Sequence, residues 1–378
     1  DCVGRCSLDQ VVKMDFGLDY YRGRRVLVTG HTGFKGSWLC KILLDAGAEL
    51  TGYSLPAPTD PSLFDLLGLA GRMDSVEGDT RDLDHMKETF ARVRPEVVLH
   101  LAAQPLVRES YREPVYTFET NVMGTVNVLE CTRLTDSVVS FLNVTTDKVY
   151  KNYEWERGYT EDDYLDGYDP YSNSKSCSEL VTHSYAQSFF ADGRCAVSTA
   201  RAGNVIGGGD FADDRIIPDC VRAIQAGEPI VIRNPYSTRP YEHVLEPLFA
   251  YLMIASKQVA SPAVAGWYNV GPDECDAVNT GKLVQSMCDI WNDMREGASA
   301  QGEEPLCALS WVNQSDGGPH EAGFLKLDCT KLKNTFGWSP RWHIDEALEK
   351  TAEWTRVWLT GGDIDACMGA QIEEYLNR

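Results

Sequence analysis

Gly30-His-Thr-Gly33-Phe-Lys-Gly36 stands directly after a short apolar run, Arg25-Val-Leu-Val-Thr29. It stands directly before Ser37-Trp-Leu-Cys-Lys-Ile-Leu-Leu44, whose apolar residues have helical spacing. Strand, glycine turn and helix in that order constrain the chain more than any other feature. Gly30 can adopt a backbone conformation closed to other residues, Gly33 lets the main chain approach a pyrophosphate, and Gly36 lets helix pack on sheet. The free N–H groups at the helix start then face an anion. A tight turn with no ligand would use the same glycines, but the surrounding order favours the anion.

The pattern continues along the chain. Ala48–Ser54, Val97–Leu101, Val138–Val144 and Ala196–Arg201 read as strands, and Met86–Val93, Asn121–Leu134 and Tyr171–Phe190 as helices. The run Val97-Val-Leu-His-Leu101 is apolar throughout, as in strands buried on both faces of a parallel sheet. The predicted fold class is therefore α/β, a doubly wound parallel (Rossmann-type) sheet. Past Arg201 Gly and Pro become frequent, helices look shorter and a charged loop is expected over 296–304. We expect an N-terminal extension over 1–22, a dinucleotide-binding domain over 23–200 and a smaller, irregular C-terminal substrate lobe mainly over 201–378, whose later segments can return to the first domain.

Composition removes several function classes. With 43% hydrophobic and 24% charged residues in 378, the chain is globular rather than disordered. Its formal net charge of −21 repels phosphate backbones and anionic lipid, so neither nucleic acid nor a membrane is an expected partner. No apolar run reaches membrane-spanning length and no secretory signal is evident. The twelve cysteines are scattered from Cys2 to Cys367 without a CxxC pair, so a reduced, cytoplasmic setting is expected and a disulfide framework is not. His243 and His320 are far apart, and neither HxxxH nor a cysteine cluster occurs, so no metal is expected.

The chemistry centres on Tyr171-Ser-Asn-Ser-Lys175. Tyrosine and lysine four apart project from one helix face, and Asp169-Pro170 signals the helix start. A lysine cation beside the phenol lowers its pKa, so the phenolate can take a proton from an alcohol. YxxxK also occurs as a surface pair; here it follows a buried strand ending Val144-Thr145-Thr146-Asp147-Lys148. Thr146, at that strand's end, can bond the same substrate oxygen.

The wider glycine spacing, the YxxxK pair and the runs HTGFKGSWL, HLAAQPLVR, TNVMGTVNVLE, DPYSNSK, RAGNVIGGGD and EHVLEP resemble extended short-chain dehydrogenases/reductases, and among them the nucleotide-sugar 4,6-dehydratases, over residues 23–350. That family carries Thr-Asp-Glu where this chain has Thr146-Asp147-Lys148, a departure that looks like its CDP-glucose branch. A second departure is Tyr241-Glu242, where a tryptophan-glutamine pair is expected.

The resemblance implies NAD as cofactor, although Ser54 at the end of the second strand and Lys35 in the turn leave NADP open on the residues alone. It implies cofactor contacts from Gly30, Thr32, Gly33, Phe34, Lys35, Gly36, Ser54, Thr80, Leu101, Ala102, Ala103, Gln104, Asn121, Thr145, Tyr171 and Lys175. Asp79 fits either the adenine-binding acid or a cap for the following helix. Arg108, Ser110, Asn204, Arg215, Arg239, His243 and His320 are the implied nucleotide-sugar ligands, with Tyr111 near the sugar. The helices holding Asn121–Leu134 and Tyr171–Phe190 imply a homodimer.

The implied activity converts CDP-glucose to its 4-keto-6-deoxy form with loss of water. In it Tyr171 acts at the 4-hydroxyl and Asp147 protonates the leaving 6-hydroxyl. Two roles stay open for Lys148, neutral base at C5 or charged stabiliser of the enolate. A 4-epimerase or a non-catalytic dinucleotide sensor would share the turn; the first does not need Asp147-Lys148, and the second commonly loses the tyrosine or lysine.

Overall fold

The computed structural model describes residues 14–300, 306–314 and 324–378. Seven strands form one parallel sheet in the order β3-β2-β1-β4-β5-β6-β10. They are β1 Arg25–Thr29, β2 Glu49–Ser54, β3 Asp74–Glu77, β4 Val97–His100, β5 Ser140–Thr146, β6 Ala196–Ala202 and β10 Trp267–Val270. Every residue of β4, β5 and β6 is buried, as both faces of a parallel sheet must be when helices cover them. The direction of winding reverses between β1 and β4, which opens a crevice at their C-terminal ends.

The remaining strands build two small sheets. β7 Asn204–Ile206 runs parallel to β9 Thr238–His243, with β11 Ala277–Asn279 antiparallel on the other side. β8 Ile230–Ile232 pairs with β12 Trp311–Asn313.

The helices used below are α1 Phe34–Asp45, α2 Leu83–Val93, α3 Gly124–Leu134, α4 Pro170–Phe189, α5 Ile216–Ala226, α6 Leu245–Ala260, α7 Thr280–Ala300, α8 Ile344–Leu359 and α9 Ile364–Asn377. Their lengths correct the expectation of short helices past Arg201. The charged stretch beginning at Glu296 is the end of α7, not the start of a loop. Helix α6 is buried on every side from Leu245 to Ser256, so it has no polar stripe to announce it. It lies against β5 and β6, where Ser140 donates to the Ala255 carbonyl at 2.7 Å and Gln258 donates to the Ser140 hydroxyl at 2.8 Å.

Two further boundaries differ from the expectation. The helix predicted from Asn121 begins earlier: Pro114–Phe118 runs through a π turn, Glu119–Met123, into α3. Residues 14–22, expected to be an extension, place Phe16 and Tyr21 in the main core, and the Tyr21 hydroxyl donates to the Leu252 carbonyl of α6. Residues 1–13, with Cys2 and Cys6, lie outside the described residues.

Glu246 ties α6 to the C-terminal region. Its carboxylate accepts from the Arg341 and Trp342 amides at 2.9 and 2.7 Å and from the Tyr375 hydroxyl at 2.7 Å. Burial nevertheless raises its pKa to about 7. A carboxyl held above its unfolded value stabilises the fold fully below about 4.5, and that contribution is lost as pH rises through 7. Glu246→Gln should therefore gain on the parent protein by on the order of 2 kcal/mol between pH 5 and pH 8. Denaturant melts of both proteins across that range check this; a difference that does not move with pH removes the assignment.

Candidate active site

The glycine turn lies at the mouth of the crevice. Gly30 has φ +75°, and a Cβ there would lie 2.7 Å from the Ala102 amide nitrogen, so the backbones after β1 and β4 touch. A Cβ on Gly36 would strike the Gly30 carbonyl at 2.2 Å. This residue thus seats the first turn of α1 on the glycine turn itself, a refinement of its expected helix-on-sheet role. A Cβ on Gly33 would meet nothing closer than 3.5 Å, and Gly33 caps α1 without any side-chain hydrogen bond. The first amides of α1 therefore have no side chain as acceptor, the arrangement a pyrophosphate requires.

Beside the turn, Thr32 bonds the Ser54 hydroxyl at 2.9 Å and donates to the Leu55 carbonyl at 3.0 Å, tying the turn to the end of β2. The cap of α2 is Asp82, which accepts from the His85 amide, so the capping alternative for Asp79 falls. Asp79 is instead held by Arg81, at 2.6 Å from Nη2 and 2.9 Å from the amide, and that hydrogen bonding lowers its pKa. Thr80 is buried against Gly124, and its carbonyl accepts from Asn127 at 2.9 Å.

Two expected cofactor ligands turn inward. The Asn121 amide accepts from the Gln104 N–H at 2.8 Å and donates to the Gln104 carbonyl at 3.1 Å and to Ser174 at 2.9 Å. Gln104 bonds Leu106 and Thr117. Both side chains hold the segment Leu101–Gln104 in place, so any contact with a cofactor there runs through its backbone.

The catalytic candidates converge. Asp169 caps α4 through the Ser172 amide at 3.0 Å with Pro170 behind it, which aims Tyr171 and Lys175 back at the end of β5. The Thr146 hydroxyl bears on the Tyr171 phenol and lowers its pKa, and Thr146 donates to Asp147 Oδ1 at 2.9 Å. Asp147 is 1% exposed, and its Oδ2 has no hydrogen-bond partner among the described residues. Burial raises its carboxyl, which favours the acid form, against the pull of Lys148, Arg239 and Lys35. Lys148 follows, with its amide 3.4 Å from the Thr146 hydroxyl.

Lys175 corrects an expectation. Its ammonium donates to the Val144 carbonyl at 3.1 Å rather than standing on the phenol. Burial and then repulsion by Lys35 bring it down to about 8, while burial pushes Tyr171 up to about 12. Thr145 lies one residue before Thr146, and its hydroxyl donates to Glu179.

Glu179 forms a fully buried ion pair with Arg201 at 2.9 Å, which the sequence reading missed. Arg201 also donates to the Tyr150 hydroxyl at 2.7 Å, so this pair braces the floor between α4 and β6. The structure reveals a further carboxyl, Glu242. It is 1% exposed, both oxygens lack a hydrogen-bond partner among the described residues, and it interacts electrostatically with Lys35 and Asp147. Burial raises its pKa well above the usual range, and burial brings Lys35 down to about 8. The signal for Glu242 was its departure from the expected glutamine.

The expected sugar-nucleotide ligands separate. Arg215, paired with Asp210 at 3.0 Å, bears on Tyr171 and Lys35, and Arg239 bears on Asp147. Asn204 opens β7 opposite Tyr241. Arg108 lies 3.8 Å from Asp214.

His243 is corrected. It is 0% exposed, packed between Trp38 and Trp342, with Nδ1 accepting from the Leu245 amide, and burial brings it down to about 3. It is a neutral core residue at the start of α6. Ser110 is buried as well and donates to the Val107 carbonyl within its own helix, whereas Tyr111 is exposed. His320 lies outside the described residues.

A doubly wound sheet with a glycine turn, an inward tyrosine–threonine pair and a buried acid defines a dinucleotide-dependent enzyme of the extended short-chain dehydrogenase/reductase class. Residues 27–351 match the family model described as GDP-mannose 4,6 dehydratase. The chain is 43% identical over 366 residues to CDP-glucose 4,6-dehydratase of Salmonella typhimurium, covering 95% of this chain and 98% of that protein. Its fold resembles UDP-glucose 4-epimerase from Thermotoga maritima with UDP-glucose (TM-score 0.72, 23% identity, 88% and 99% covered). It also resembles Thermus thermophilus UDP-glucose 4-epimerase complexed with NAD (TM-score 0.70, 25% identity, 88% and 99% covered). The chain belongs to the nucleotide-sugar 4,6-dehydratase family.

Proposed function

We propose that this protein converts CDP-glucose to CDP-4-keto-6-deoxyglucose and water, using NAD. The observation that carries the reading is the convergence of Tyr171, Thr146 and Asp147: Thr146 bears on the phenol and donates to a buried acid whose other oxygen has no hydrogen-bond partner among the described residues. An epimerase needs no such acid. The 43% identity to a CDP-glucose enzyme supports the nucleotide assignment.

The open cradle at Gly33 and the first amides of α1 would hold the pyrophosphate of NAD, and Leu101–Gln104 would line its course. When bound, NAD would supply a reversible store for the hydride that leaves sugar C4 and ends on C6. Tyr171 accepts the 4-hydroxyl proton. The C5 proton, acidified by the new ketone, passes to a base, Asp147 protonates the 6-hydroxyl so that it leaves as water, and the base returns its proton to C5 as hydride arrives at C6. Each turnover thus leaves one extra proton on Tyr171 and one missing from Asp147. The Thr146 hydroxyl lies between them and can pass it across.

We assign residues 23–200 to the dinucleotide and 201–378 mainly to the nucleotide sugar, with α6 and β10 returning to the first domain. Asn204, Arg215 and Arg239 are the proposed diphosphate and nucleotide contacts. We also propose a homodimer through the helices 114–134 and α4, supported by the exposed Val115, Met123, Leu180 and Phe189 on them. Sedimentation should give twice the chain mass. No described helix is long and apolar enough to cross a membrane. The ten described cysteines are all unpaired, which supports the proposed cytoplasmic setting.

The direct test offers the purified protein CDP-glucose and, separately, dTDP-, GDP- and UDP-glucose. The expected result is a product lighter by one water from CDP-glucose alone; efficient turnover of another nucleotide overturns the CDP assignment. For Lys148 we take the base role at C5. In heavy water, Lys148→Met should incorporate label at C5 at least about a hundredfold more slowly, the lower end of a general base's usual contribution. Undiminished incorporation returns Lys148 to the role of enolate stabiliser.

A further inference from the structure

Away from the crevice, three side chains of different chemistry meet at the start of α8. Cys275 and Asp276 come from the 3-10 turn Glu274–Asp276, just before β11, and His343 is the residue that caps α8. His343 Nδ1 lies 2.9 Å from Asp276 Oδ2, Cys275 Sγ lies 3.7 Å from Asp276 Oδ2, and Cys275 Sγ lies 3.9 Å from His343 Nδ1. We propose that Cys275, Asp276 and His343 form a binding site for a zinc-type divalent ion, which clamps this turn to the start of α8.

Four observations carry it. First, zinc bonds nitrogen or oxygen at about 2.0 Å and sulfur at about 2.3 Å, so a tetrahedral site has donor–donor edges of roughly 3.3–3.6 Å. The observed edges of 2.9, 3.7 and 3.9 Å straddle that range. Second, the carboxylate is already oriented: Asp276 is 4% exposed at its side chain, and its other oxygen accepts from the Ile344 amide at 3.0 Å. This is the outer support that metal ligands need.

Third, the thiol and imidazole are exposed, leaving room for water as a fourth ligand. Fourth, the donor set selects the ion. Thiolate with imidazole favours zinc or cobalt over magnesium or calcium, which prefer oxygen throughout. Asp273 adds to the local negative field while Arg378 opposes it. The plain alternative is a carboxylate–imidazole contact at a helix start with a cysteine beside it. That reading has no use for the thiol's distance to both partners. Ligands 67 and 68 positions apart leave no spacing motif, which is why the sequence predicted no metal.

The test uses the full-length protein, dialysed against chelator and titrated with Co²⁺. One equivalent should produce a thiolate-to-cobalt charge-transfer band with tetrahedral visible bands, and Zn²⁺ should displace it. Cys275→Ser should remove the charge-transfer band, and His343→Asn should weaken binding at least tenfold. Cys307→Ser, the other exposed described cysteine, should leave both unchanged. Absence of the band, or a band that survives Cys275→Ser, overturns the site. Because Cys275 and His343 lie outside the catalytic group, dehydratase activity should persist in both variants. This separates failure of the site from failure of the proposed function.

Discussion

Tyr171→Phe should lower formation of the 4-keto-6-deoxy product by about 10²–10⁴-fold, the usual contribution of a positioned acid–base group. Substrate binding should change by only a few fold. The phenol is enclosed: burial pushes it up to about 12, the Thr146 hydroxyl lowers it, Asp147 raises it and Arg215 lowers it again. Phenylalanine preserves the ring and its packing while removing the oxygen that, in the proposed reaction, takes the 4-hydroxyl proton. All later steps depend on the ketone at C4, so label exchange at C5 should fall in parallel with product. Mass spectrometry of the sugar nucleotide in heavy water reads both quantities from one sample. Exchange that continues while product is lost would show that another group activates the 4-hydroxyl.

What the sequence carried and what it did not follow a physical division. The glycine turn and the YxxxK pair were legible because each depends on local spacing: a left-handed φ at Gly30 and one helical turn between Tyr171 and Lys175. Asp169-Pro170 marked the start of α4 for the same reason. The destination of a side chain was not local. Lys175 meets the Val144 carbonyl, Asn121 clamps the Gln104 backbone, and His243 is enclosed by Trp38 and Trp342. Each outcome depends on residues 17 to 205 positions away in the chain. Helix α6 was missed for a different reason, since a helix buried on all sides has no amphipathic period. Glu242 was visible only as a departure from the expected glutamine; that it interacts electrostatically with Lys35 and Asp147 follows from where strand β9 is placed.

Asp147→Asn should separate two steps that Tyr171→Phe stops together. The carboxyl is almost wholly buried, its Oδ1 accepts from Thr146, and its Oδ2 has no hydrogen-bond partner among the described residues. Burial favours the protonated acid, and in the proposed reaction Oδ2 is the atom that would offer a proton to the sugar's 6-hydroxyl. Asparagine has nearly the same shape and can keep the Thr146 contact, but its amide cannot deliver a proton to a leaving group. Loss of water should therefore slow by about 10²–10⁴-fold. The proton acceptor at the 4-hydroxyl and the group acting at C5 are untouched. Recovered CDP-glucose should thus still acquire solvent label at C5, at a rate within a few fold of parental turnover. If label and product disappear together, Asp147 acts before elimination and the division of roles between Tyr171 and Asp147 is wrong. If product persists, the proton comes from elsewhere, and the other buried carboxyl bearing on this position, Glu242, becomes the donor to test next.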